Sequence, residues 1–446
     1  MARTAKKELS IEEKLAAALV PEEEQPYKVP ENWCWTYLTK GYAECKDNCR
    51  KPINAKERAN RKGNIPYYGA TGQVGWIDDY LTDEELVLLG EDGAPFLDLI
   101  RDKAYLISGK AWVNNHAHIL VSLFGHVGNL YMLHYLNIFN FEGYVNGTTR
   151  LKLTQSNMDL IPIPLPPITE QQRIVSTIES LFADLDEAKA KLQTVLNGFA
   201  ERKAAILHQA FTGELTRVWR EEHGESLSSW EEKNLDEVCS SIFDGDHMPP
   251  PKSETGIPFL VISNVSNGKL SYENTRFVPH EYYNELSETR KPQLGDVLYT
   301  LVGTYGIPVI VDDERPFCFQ RHMALLKPKA IETRFLWYLL QTQEMYQKAS
   351  SIATGTAQMT VPIKGLRKLQ FNCPPQSEQK VIVHILDHVL GNEQQAKSAV
   401  KSVLADIDTM KKSILARAFR GELGTGDKKD ESAVSLLRQI LQQIEA

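Results

Sequence analysis

The sequence predicts an α+β fold in which two mixed α/β domains, related by a pseudo-twofold axis, are separated by two long helices that form an antiparallel coiled coil. A repeat is the main support for this prediction. Residues 166–215 recur as residues 374–423, so the offset is 208 residues. Each copy opens with Pro-Pro and Glu-Gln and closes with Ala-Phe-x-Gly-Glu-Leu. A repeat of this length does not suit a stacked solenoid and indicates a doubled half-molecule.

Length and composition limit the class of protein. The 446 residues, of which 42% are apolar, allow two to four domains with their own cores. No apolar run reaches the roughly 18 residues of a membrane span, and the basic start of the chain lacks an apolar signal core. We therefore expect a cytoplasmic protein without a membrane partner. The net charge of −8 argues against a protein that coats nucleic acid without selectivity.

The repeat and the changes in composition divide the chain into seven segments. These are an N-terminal arm (1–30), a first mixed domain (31–165), a central helix (166–215), a connector (216–229), a second mixed domain (230–373), a distal helix (374–423) and a C-terminal linker with a helix (424–446).

Short apolar runs bounded by glycine, proline or asparagine predict the elements of the two mixed domains. In the first half we predict a helix at 11–19, a strand that runs into a glycine-rich turn within 65–72, strands at 86–89 and 119–123, a buried helix at 130–139 and an extended segment at 161–167. In the second half we predict strands at 257–261, 297–302 and 323–326 and a helix at 335–346. Gly355-Thr356 matches Gly147-Thr148 at the same offset, so the repeat includes the domains.

Two long helices follow from the repeated stretch. Thr169 is a plausible N-cap, and Gly213 is a natural C-terminal stop. About 43 residues at ~1.5 Å each give a helix of about 65 Å. The apolar residues at heptad spacing are Ile174, Ile178, Leu181, Leu185, Ala188, Leu192, Val195, Phe199 and Ile206 in the first helix, and Ile382, Leu386, Val389, Ala396, Val400, Val403, Ile407, Met410 and Ile414 in the second.

A stripe this narrow suits one partner helix better than a globular core. We therefore predict that the two helices pair with each other, in antiparallel orientation. The predicted interface residues are Ile178, Leu185, Leu192, Phe199, Leu386, Val400, Ile407 and Ile414. Arg202 and Glu393 interrupt the two rows. A centred overlap would not place them opposite each other, so the spacing does not predict a salt bridge, and the two residues could instead fix the register or face partner subunits. The alternative is that each helix packs on its own domain, which would require a broader stripe.

Motifs for catalysis are not evident in the sequence. It has no G-x-x-x-x-G-K-[ST] phosphate loop and no G-x-G-x-x-G after a strand. Cys45 and Cys49 form a weak zinc pattern without a second pair. His116 and His118 are better explained as residues of a strand with one exposed face. We therefore expect no catalytic residue, no metal and no cofactor in this chain.

Polar residues in the glycine-rich loops are better explained as DNA readers. Arginine and lysine pair with guanine in the major groove, and asparagine and glutamine pair with adenine. Basic side chains and backbone N–H groups hold phosphates. The candidates are Lys51, Lys56, Arg58, Arg61, Thr71, Gln73, Asn115 and Arg150 in the first domain, and His247, Lys252, Asn264, Asn267, Thr304, Arg321 and Gln358 in the second.

The doubled arrangement resembles the specificity subunit of type I restriction–modification systems. The resemblance rests on the Pro-Pro-x-x-Glu-Gln openings at Pro166 and Pro374 and on the Ala-Phe-x-Gly-Glu-Leu endings at Ala210 and Ala418. The stretches 67–72, 90–94 and 114–118 also resemble one class of target recognition domain.

This resemblance implies that each mixed domain reads one half of a bipartite sequence in double-stranded DNA. It implies that the paired helices set the spacer and dock two methyltransferase subunits, which carry S-adenosylmethionine and flip the adenine. Restriction subunits, with ATP and Mg, would join through them. Two other hypotheses remain open: a DNA methyltransferase or nuclease in its own right, and a coiled-coil scaffold that does not bind DNA.

Overall fold

The structure is a computed structural model, which describes residues 10–245 and 250–443. The helices are α1 (Ile11–Ala18), α2 (Ala55–Asn60), α3 (Gly125–Ile138), α4 (Gln155–Met158), α5 (Ile168–Phe211), α6 (Arg217–His223), α7 (Leu235–Val238), α8 (His280–Glu285), α9 (Thr333–Leu339), α10 (Gln343–Ile352), α11 (Ile363–Arg367), α12 (Gln376–Ala418) and α13 (Ala433–Gln443).

The strands are short, and most contribute to small sheets. They are β1 (Cys34–Tyr37), β2 (Ala43–Cys45), β3 (Ile65–Gly69), β4 (Gly72–Ile77), β5 (Thr82–Asp83), β6 (Leu86–Gly90), β7 (Ala104–Ile107), β8 (Lys110–Val113), β9 (Ala117–Ser122), β10 (Val145–Asn146), β11 (Lys152–Leu153), β12 (Pro162–Leu165), β13 (Glu231–Asn234), β14 (Cys239–Asp244), β15 (Ile257–Leu260), β16 (Arg276–Val278), β17 (Val297–Thr300), β18 (Pro308–Ile310), β19 (Cys318–Phe319), β20 (Met323–Pro328) and β21 (Gln370–Cys373).

The chain forms two compact units. Unit 1 comprises Met1–Gln193 and Ser402–Ala446, and unit 2 comprises Thr194–Lys401. Each long helix therefore contributes one part to unit 1 and the other part to unit 2. In the described part of the chain, no helix is long and apolar enough to cross a membrane.

Unit 1 contains an antiparallel sheet in the order β2-β9-β6-β7 and a smaller sheet in the order β4-β3-β8-β5. All five residues of β6 are buried, because α3 covers one face of the sheet and the smaller sheet lies next to the other. The ribbon β1–β12 leads from the domain into α5.

Unit 2 repeats this plan. Its larger sheet has the order β14-β20-β17-β18, its smaller sheet the order β16-β15-β19, and its ribbon joins β13 to β21. The parallel pair β3–β8 of unit 1 has a counterpart in β15–β19. The predicted helix at 335–346 is wrong: α9 ends and α10 begins afresh, because the side chain of Thr342 accepts a hydrogen bond from the backbone N–H of Met345 and caps the second helix.

The long helices run antiparallel within each unit. In unit 1, Lys189 Nζ lies 2.9 Å from Asp408 Oδ1, and Lys411 Nζ lies 2.6 Å from Asp186 Oδ1. A lower residue number in α5 thus lies opposite a higher residue number in α12, which shows that the two helices are antiparallel. This pairing excludes the alternative in which each helix packs only on its own domain.

Arg202 and Glu393 do meet in unit 2, where Arg202 Nε lies 3.0 Å from Glu393 Oε2. The overlap is therefore not centred: the helices are shifted so that the first turn of each reaches beyond the last turn of the other. Thr425 Oγ1, after the end of α12, donates to Glu170 in the first turn of α5 at 3.3 Å, and Thr216 Oγ1, after the end of α5, donates to Glu378 at 2.6 Å.

The predicted interface residues are buried or half-buried. The other heptad row consists of Ile174, Leu181, Ala188 and Val195 in α5 and of Ile382, Val389, Ala396, Val403 and Met410 in α12. Five members of that row are exposed: Leu181, Val195, Ala396, Val403 and Met410. The apolar residues that follow three of them, Phe182, Leu196 and Leu404, are half-buried instead, so this row is shifted by one residue. Both residues of pairs such as 181–182 and 195–196 are apolar, so spacing alone does not show which one faces inward.

The doubled opening motif has a structural role. Glu170 accepts a hydrogen bond from Trp33 Nε1, and Glu378 accepts one from Trp230 Nε1, both at 2.8 Å. Gln171 Nε2 likewise donates to the carbonyl of Pro166 at 3.1 Å, and Gln379 Nε2 donates to that of Pro374 at 2.9 Å. Each motif thus fastens the start of a long helix to its own domain. The predicted N-cap is wrong, since α5 already begins at Ile168 and Thr169 Oγ1 donates to Asp430.

The arm and the C-terminal helix belong to the core of unit 1. Leu15 and Ala18 of α1 are buried together with Leu437 and Leu441 of α13. In unit 2, the connector between α5 and β13 contains α6, whose Arg220 is buried against Glu378.

Candidate nucleic-acid interface

Three loops converge at one edge of the larger sheet in each unit, and we call this arrangement the three-loop platform. In unit 1 the loops are residues 90–94, 114–116 and 147–151. In unit 2 they are residues 301–306, 320–322 and 354–360. In each unit two of the loops lie next to strands of the larger sheet, whereas the third joins β10 to β11 in unit 1 and α10 to α11 in unit 2. The tips of the loops are exposed, as is usual for binding loops on a rigid scaffold.

Three backbone hydrogen bonds hold each platform together, and they are the same in the two units. The N–H of Glu91 donates to the carbonyl of His116 at 2.8 Å, as the N–H of Leu301 does to that of His322. The N–H of Gly93 donates to the carbonyl of Leu151 at 3.0 Å, as Gly303 does to Met359. In the third pair, the N–H of Leu153 donates to the carbonyl of Glu91 at 2.7 Å, and the N–H of Val361 donates to the carbonyl of Leu301 at 2.9 Å.

A glycine is required at one matched position of each platform. Gly147 has φ +102° and Gly355 has φ +121°, a region that other residues rarely adopt. A Cβ atom at Gly147 would lie 2.5 Å from the carbonyl oxygen of Arg150, and one at Gly355 would lie 2.3 Å from that of Gln358. The backbone of the two platforms is therefore alike, while the side chains that it presents differ.

In unit 1 the platform carries an ionic group. Asp92 forms an ion pair with Arg150, and its other oxygen lies 3.1 Å from His116 Nδ1. The side chain of Arg150 is 63% exposed. Its guanidinium is thus oriented by a carboxylate but remains accessible, as a bidentate contact with guanine or phosphate requires.

In unit 2 the platform is less charged. Val302 occupies the position matched to Asp92, and the exposed Gln358 occupies that of Arg150. Tyr305 stacks on Tyr346 with ring centroids 5.5 Å apart. The hydroxyl of Tyr299 is buried beneath the loop without a hydrogen-bond partner among the described groups, and burial raises its pKa.

A buried polar network supports the platform of unit 1. His118 Nδ1 lies 2.7 Å from Asp47 Oδ2, and His118 Nε2 lies 2.9 Å from the carbonyl oxygen of Leu153. Arg50 forms ion pairs with both Asp47 and Glu91. Burial alone would raise the pKa of Asp47, but hydrogen bonds from His118 and from the backbone, together with the charge of Arg50, hold that pKa below its usual range.

This network corrects our interpretation of His118, which is fully buried and does not lie on an exposed face. Asp47, Glu91 and His118 are the one group in the described part of the chain that is compact enough for a metal ion. The guanidinium of Arg50 already provides a cation for the two carboxylates, so we assign no metal here.

Five of the predicted DNA readers lie on the platforms: Asn115, Arg150, Thr304, Arg321 and Gln358, all exposed. Thr71 is exposed at the neighbouring β3–β4 turn. Within each unit, candidates from separate loops thus lie on one platform.

The other candidates of the first domain lie on α2, on the segments that flank it and on the smaller sheet. Lys51 and Lys56 are exposed. Arg58 lies over the ring of Tyr67, 4.8 Å from its centroid. Arg61 is bound to Asp78 at 2.7 Å, and Gln73 Nε2 donates to the carbonyl of Gly75 at 3.1 Å. The charge of Arg61 is thus partly neutralised by an acidic residue of the segment that follows it.

In the second domain the structure contradicts one candidate. Asn264 is 4% exposed; its Oδ1 accepts from the N–H of Val261 at 3.0 Å, and its Nδ2 donates to the carbonyl of Glu273 at 3.1 Å. It therefore shapes its loop and has no free group for a base. Lys252 and Asn267 are exposed, and His247 lies outside the described residues.

Sequence reasoning missed Asp92 and His116 as parts of the platform. It used residues 90–94 only for the resemblance, without a role for Asp92, and it placed His116 on a strand. The signal was present in the pattern that both halves share, because His116 and His322 each follow a polar residue and precede a buried strand.

Comparison with known proteins gives one consistent result. The family model described as the type I restriction modification DNA specificity domain matches residues 40–197 and again residues 228–402. The two matches coincide with the two halves of the repeat.

Individual relatives agree. A Haemophilus influenzae protein with the provisional name of type I restriction enzyme specificity subunit is 29% identical over 76% of this chain and 83% of its own length. The EcoKI specificity subunit of Escherichia coli is 28% identical, over 60% of this chain and 59% of its own length.

Solved structures show the same fold. The HsdS subunit from Thermoanaerobacter tengcongensis superposes with a TM-score of 0.57 at 20% identity, over 90% of this chain and all of that one. A chain from a study of complex assembly and conformational transition of the type I R-M system superposes with a TM-score of 0.62 at 19% identity, over 89% of this chain and all of that one.

Proposed function

The chain belongs to the type I restriction modification DNA specificity family, and from this premise we propose that it is the subunit that selects the DNA sequence of a type I restriction–modification complex. Each three-loop platform reads one half of a bipartite target. The chain itself performs no chemistry in this proposal: partner subunits transfer the methyl group and cleave the DNA.

The repeated platform is the observation that carries the proposal. The same three hydrogen bonds build both frames, yet the exposed residues at matched positions differ, as with Arg150 and Gln358. A shared frame with different side chains suits two readers that dock on DNA in the same way and recognise different bases.

The long helices have a different role in the proposal. They set the distance between the half-sites and bind two methyltransferase subunits, which bring S-adenosylmethionine and act on an adenine flipped out of the duplex. Restriction subunits with ATP and Mg join through these partners. The net charge of −8 fits a subunit that depends on partners to enclose the DNA.

Mapping of methylated adenines tests the proposal. The chain is expressed with its methyltransferase partner in cells that lack other adenine methylation, and methylated positions are read across the genome. We expect one bipartite motif with a fixed gap, and no methylation when this chain is omitted. Methyl transfer by the purified chain alone would show an enzyme instead, and a complex that binds all sequences equally would show a scaffold.

A further inference from the structure

The smaller sheets of the two units share a register, which shows the residues that occupy equivalent positions. In unit 1, β3 pairs antiparallel with β4 and parallel with β8, and in unit 2, β15 pairs in the same way with β16 and β19. Both central strands begin with Ile-Pro and an aromatic residue, which is Tyr67 in β3 and Phe259 in β15. Tyr67 is paired with Gly75 of β4, and Phe259 is paired with Arg276 of β16. Gly75 and Arg276 therefore occupy equivalent positions.

Tyr67 and Phe259 lie on the face of the smaller sheet that is turned away from the larger sheet. Tyr67 is buried in a cluster formed by β3, β4, β8 and the segment before α2, and Phe259 is buried in a cluster formed by β15, β16 and β19. A different cluster in each unit fills the space between the two sheets. The two aromatic rings therefore lie at the same place on the outer face of their sheets.

A guanidinium lies over each of these rings, 4.8 Å from the centroid, but it comes from a different element in each unit. In unit 2 it belongs to Arg276, directly opposite Phe259 in the strand ladder. In unit 1 the equivalent strand position is Gly75, and Arg58 of α2 supplies the guanidinium instead. A Cβ atom at Gly75 would lie 3.6 Å from Arg58 Nε, so Arg58 fills the space beside that glycine. Two different sequence solutions thus place one positive charge at the same point of the sheet.

Neither of these two positive charges is neutralised by a carboxylate of the described residues. Arg61, one turn after Arg58, is bound to Asp78 at 2.7 Å, whereas no ion pair joins Arg58 or Arg276 to an acidic side chain in the part of the chain that the structure describes. Arg276 is exposed, and Arg58 is half-buried. A guanidinium that lies over an aromatic ring is oriented by cation–π attraction and keeps its N–H groups for another acceptor. Both arginines are therefore oriented and remain available to an anion.

Each guanidinium lies beside a strand that leads into the three-loop platform. The residue of β8 that is paired with Tyr67 is Trp112, three positions before Asn115 on the platform. In unit 2 the corresponding interval runs from Cys318 to Arg321. Three residues of extended chain span roughly 10 Å. The major groove is about 8.5 Å deep, so a cation at this distance from a loop that reaches the bases can reach a phosphate at the edge of the groove.

We propose that Arg58 and Arg276 are matched phosphate contacts, each of which binds one backbone phosphate of double-stranded DNA at the edge of a half-site. This inference rests on the proposed function and adds Arg276, which the sequence did not single out. The platforms differ in the side chains that face the bases, whereas this charge is placed alike in both units. The phosphate backbone is the same in every sequence, so two domains that read different bases can still share a phosphate contact. The planar fork of a guanidinium suits two phosphate oxygens.

The test measures how salt affects DNA binding by the full chain with its methyltransferase partner, by fluorescence anisotropy on a duplex that carries the mapped bipartite motif. Arg58→Met and Arg276→Met remove the charge and keep an unbranched side chain over the ring. We expect each variant to bind roughly 10-fold more weakly and to reduce the slope of log K against log salt concentration by about 1. Both effects should add in the double variant, and the methylated motif should stay the same.

A relocation variant tests the position of the charge separately from the residue that carries it. Arg58→Ala combined with Gly75→Arg moves the charge of unit 1 to the strand position that it occupies in unit 2. A Cβ atom at Gly75 has only Arg58 atoms within 4 Å, so the new side chain has room once Arg58 is shortened. This variant should recover the affinity and the salt slope that Arg58→Ala alone loses. Arg420→Met, which removes an exposed guanidinium over the ring of Tyr27, is the matched control and should leave the slope unchanged.

Several outcomes would overturn the inference. An unchanged affinity and slope in the double methionine variant would do so, as would a changed methylated motif, which would assign the two arginines to bases. Loss of a bound methyltransferase copy in native mass spectrometry, with the slope unchanged, would assign them to a partner protein. Each of these results leaves the proposed function intact as long as the wild-type complex binds its motif selectively. Equal binding of all sequences by the wild-type complex would instead refute the proposed function and the inference together.

Discussion

Exchange of the matched platform residues offers a direct test of base reading. Arg150 and Gln358 occupy equivalent positions in the two platforms. The perturbation is therefore reciprocal: Arg150→Gln gives the first platform the side chain of the second, and Gln358→Arg does the reverse. Arginine pairs with guanine and glutamine with adenine in the major groove.

The magnitude follows from the exposure of the arginine. Because Arg150 is 63% exposed, its ion pair with Asp92 contributes only about 0.2–1 kcal/mol to folding. A bidentate contact with a base contributes about 1–3 kcal/mol of discrimination, which is roughly a 5- to 150-fold preference. The Arg150→Gln variant should therefore lose the preference for the original base at one position and keep nearly all of its stability.

The assay is selection of methylated sites from a randomised DNA library by the complete complex. We expect Arg150→Gln to change one base in one half-site and Gln358→Arg to change one base in the other. Lys51→Gln, which removes an exposed charge outside the platform, should weaken binding to all sequences and reduce its salt dependence. If both exchanges leave the selected motif unchanged, the platforms do not read bases through these residues.

Three further perturbations test the fold and its use. Glu378→Gln breaks a buried ion pair with Arg220 and should reduce the free energy of unfolding by about 3–5 kcal/mol. Glu170 has only Trp33 and Thr425 as partners, so Glu170→Gln should reduce the free energy of unfolding by about 1.5–3 kcal/mol. Equal reductions for the two variants in urea titrations would contradict this difference. Deletion of residues 189–195 together with 397–403 removes one heptad, about 10 Å, from each long helix. The gap in the methylated motif should then be shorter by about three base pairs, and both half-sites should be unchanged. Altered half-sites would contradict the spacer role. Burial lowers the pKa of His134 below its ordinary 6.5. As the pH falls, this histidine is therefore protonated in the unfolded chain before it is protonated in the folded chain, so the melting temperature should fall as the pH drops through about 6.5. The decrease should be smaller in His134→Gln.

The repeat and the heptads allowed the architecture to be predicted because they are properties of spacing. The register of the two long helices was harder to predict. It depends on the contacts of Glu170 and Glu378 with threonines that follow the opposite helix, and no local sequence pattern reveals such contacts. The identity of the inward-facing residue was ambiguous wherever two apolar residues are adjacent, as at Leu181 and Phe182.

The candidate site was predicted only in part. Arg150, Thr304 and Gln358 were selected because they lie in glycine-rich loops, and their contact with bases stays a prediction. Asp92 was missed because its role depends on an arginine 58 positions later in the sequence, and Asn264 was chosen wrongly because an asparagine that closes its own loop has the same sequence context as an exposed one.

The division of the chain into units has a consequence for the order in which they form during synthesis. Unit 2 is one continuous stretch, Thr194–Lys401, whereas unit 1 needs residues from Ser402 onward as well as the beginning of the chain. On the ribosome, the second recognition domain therefore acquires all of its parts while the first still awaits Leu415, Phe419 and the last helix. Until those residues emerge, Ile174 and Ile178 of the first core lack part of their cover, and the nascent chain exposes apolar surface to chaperones.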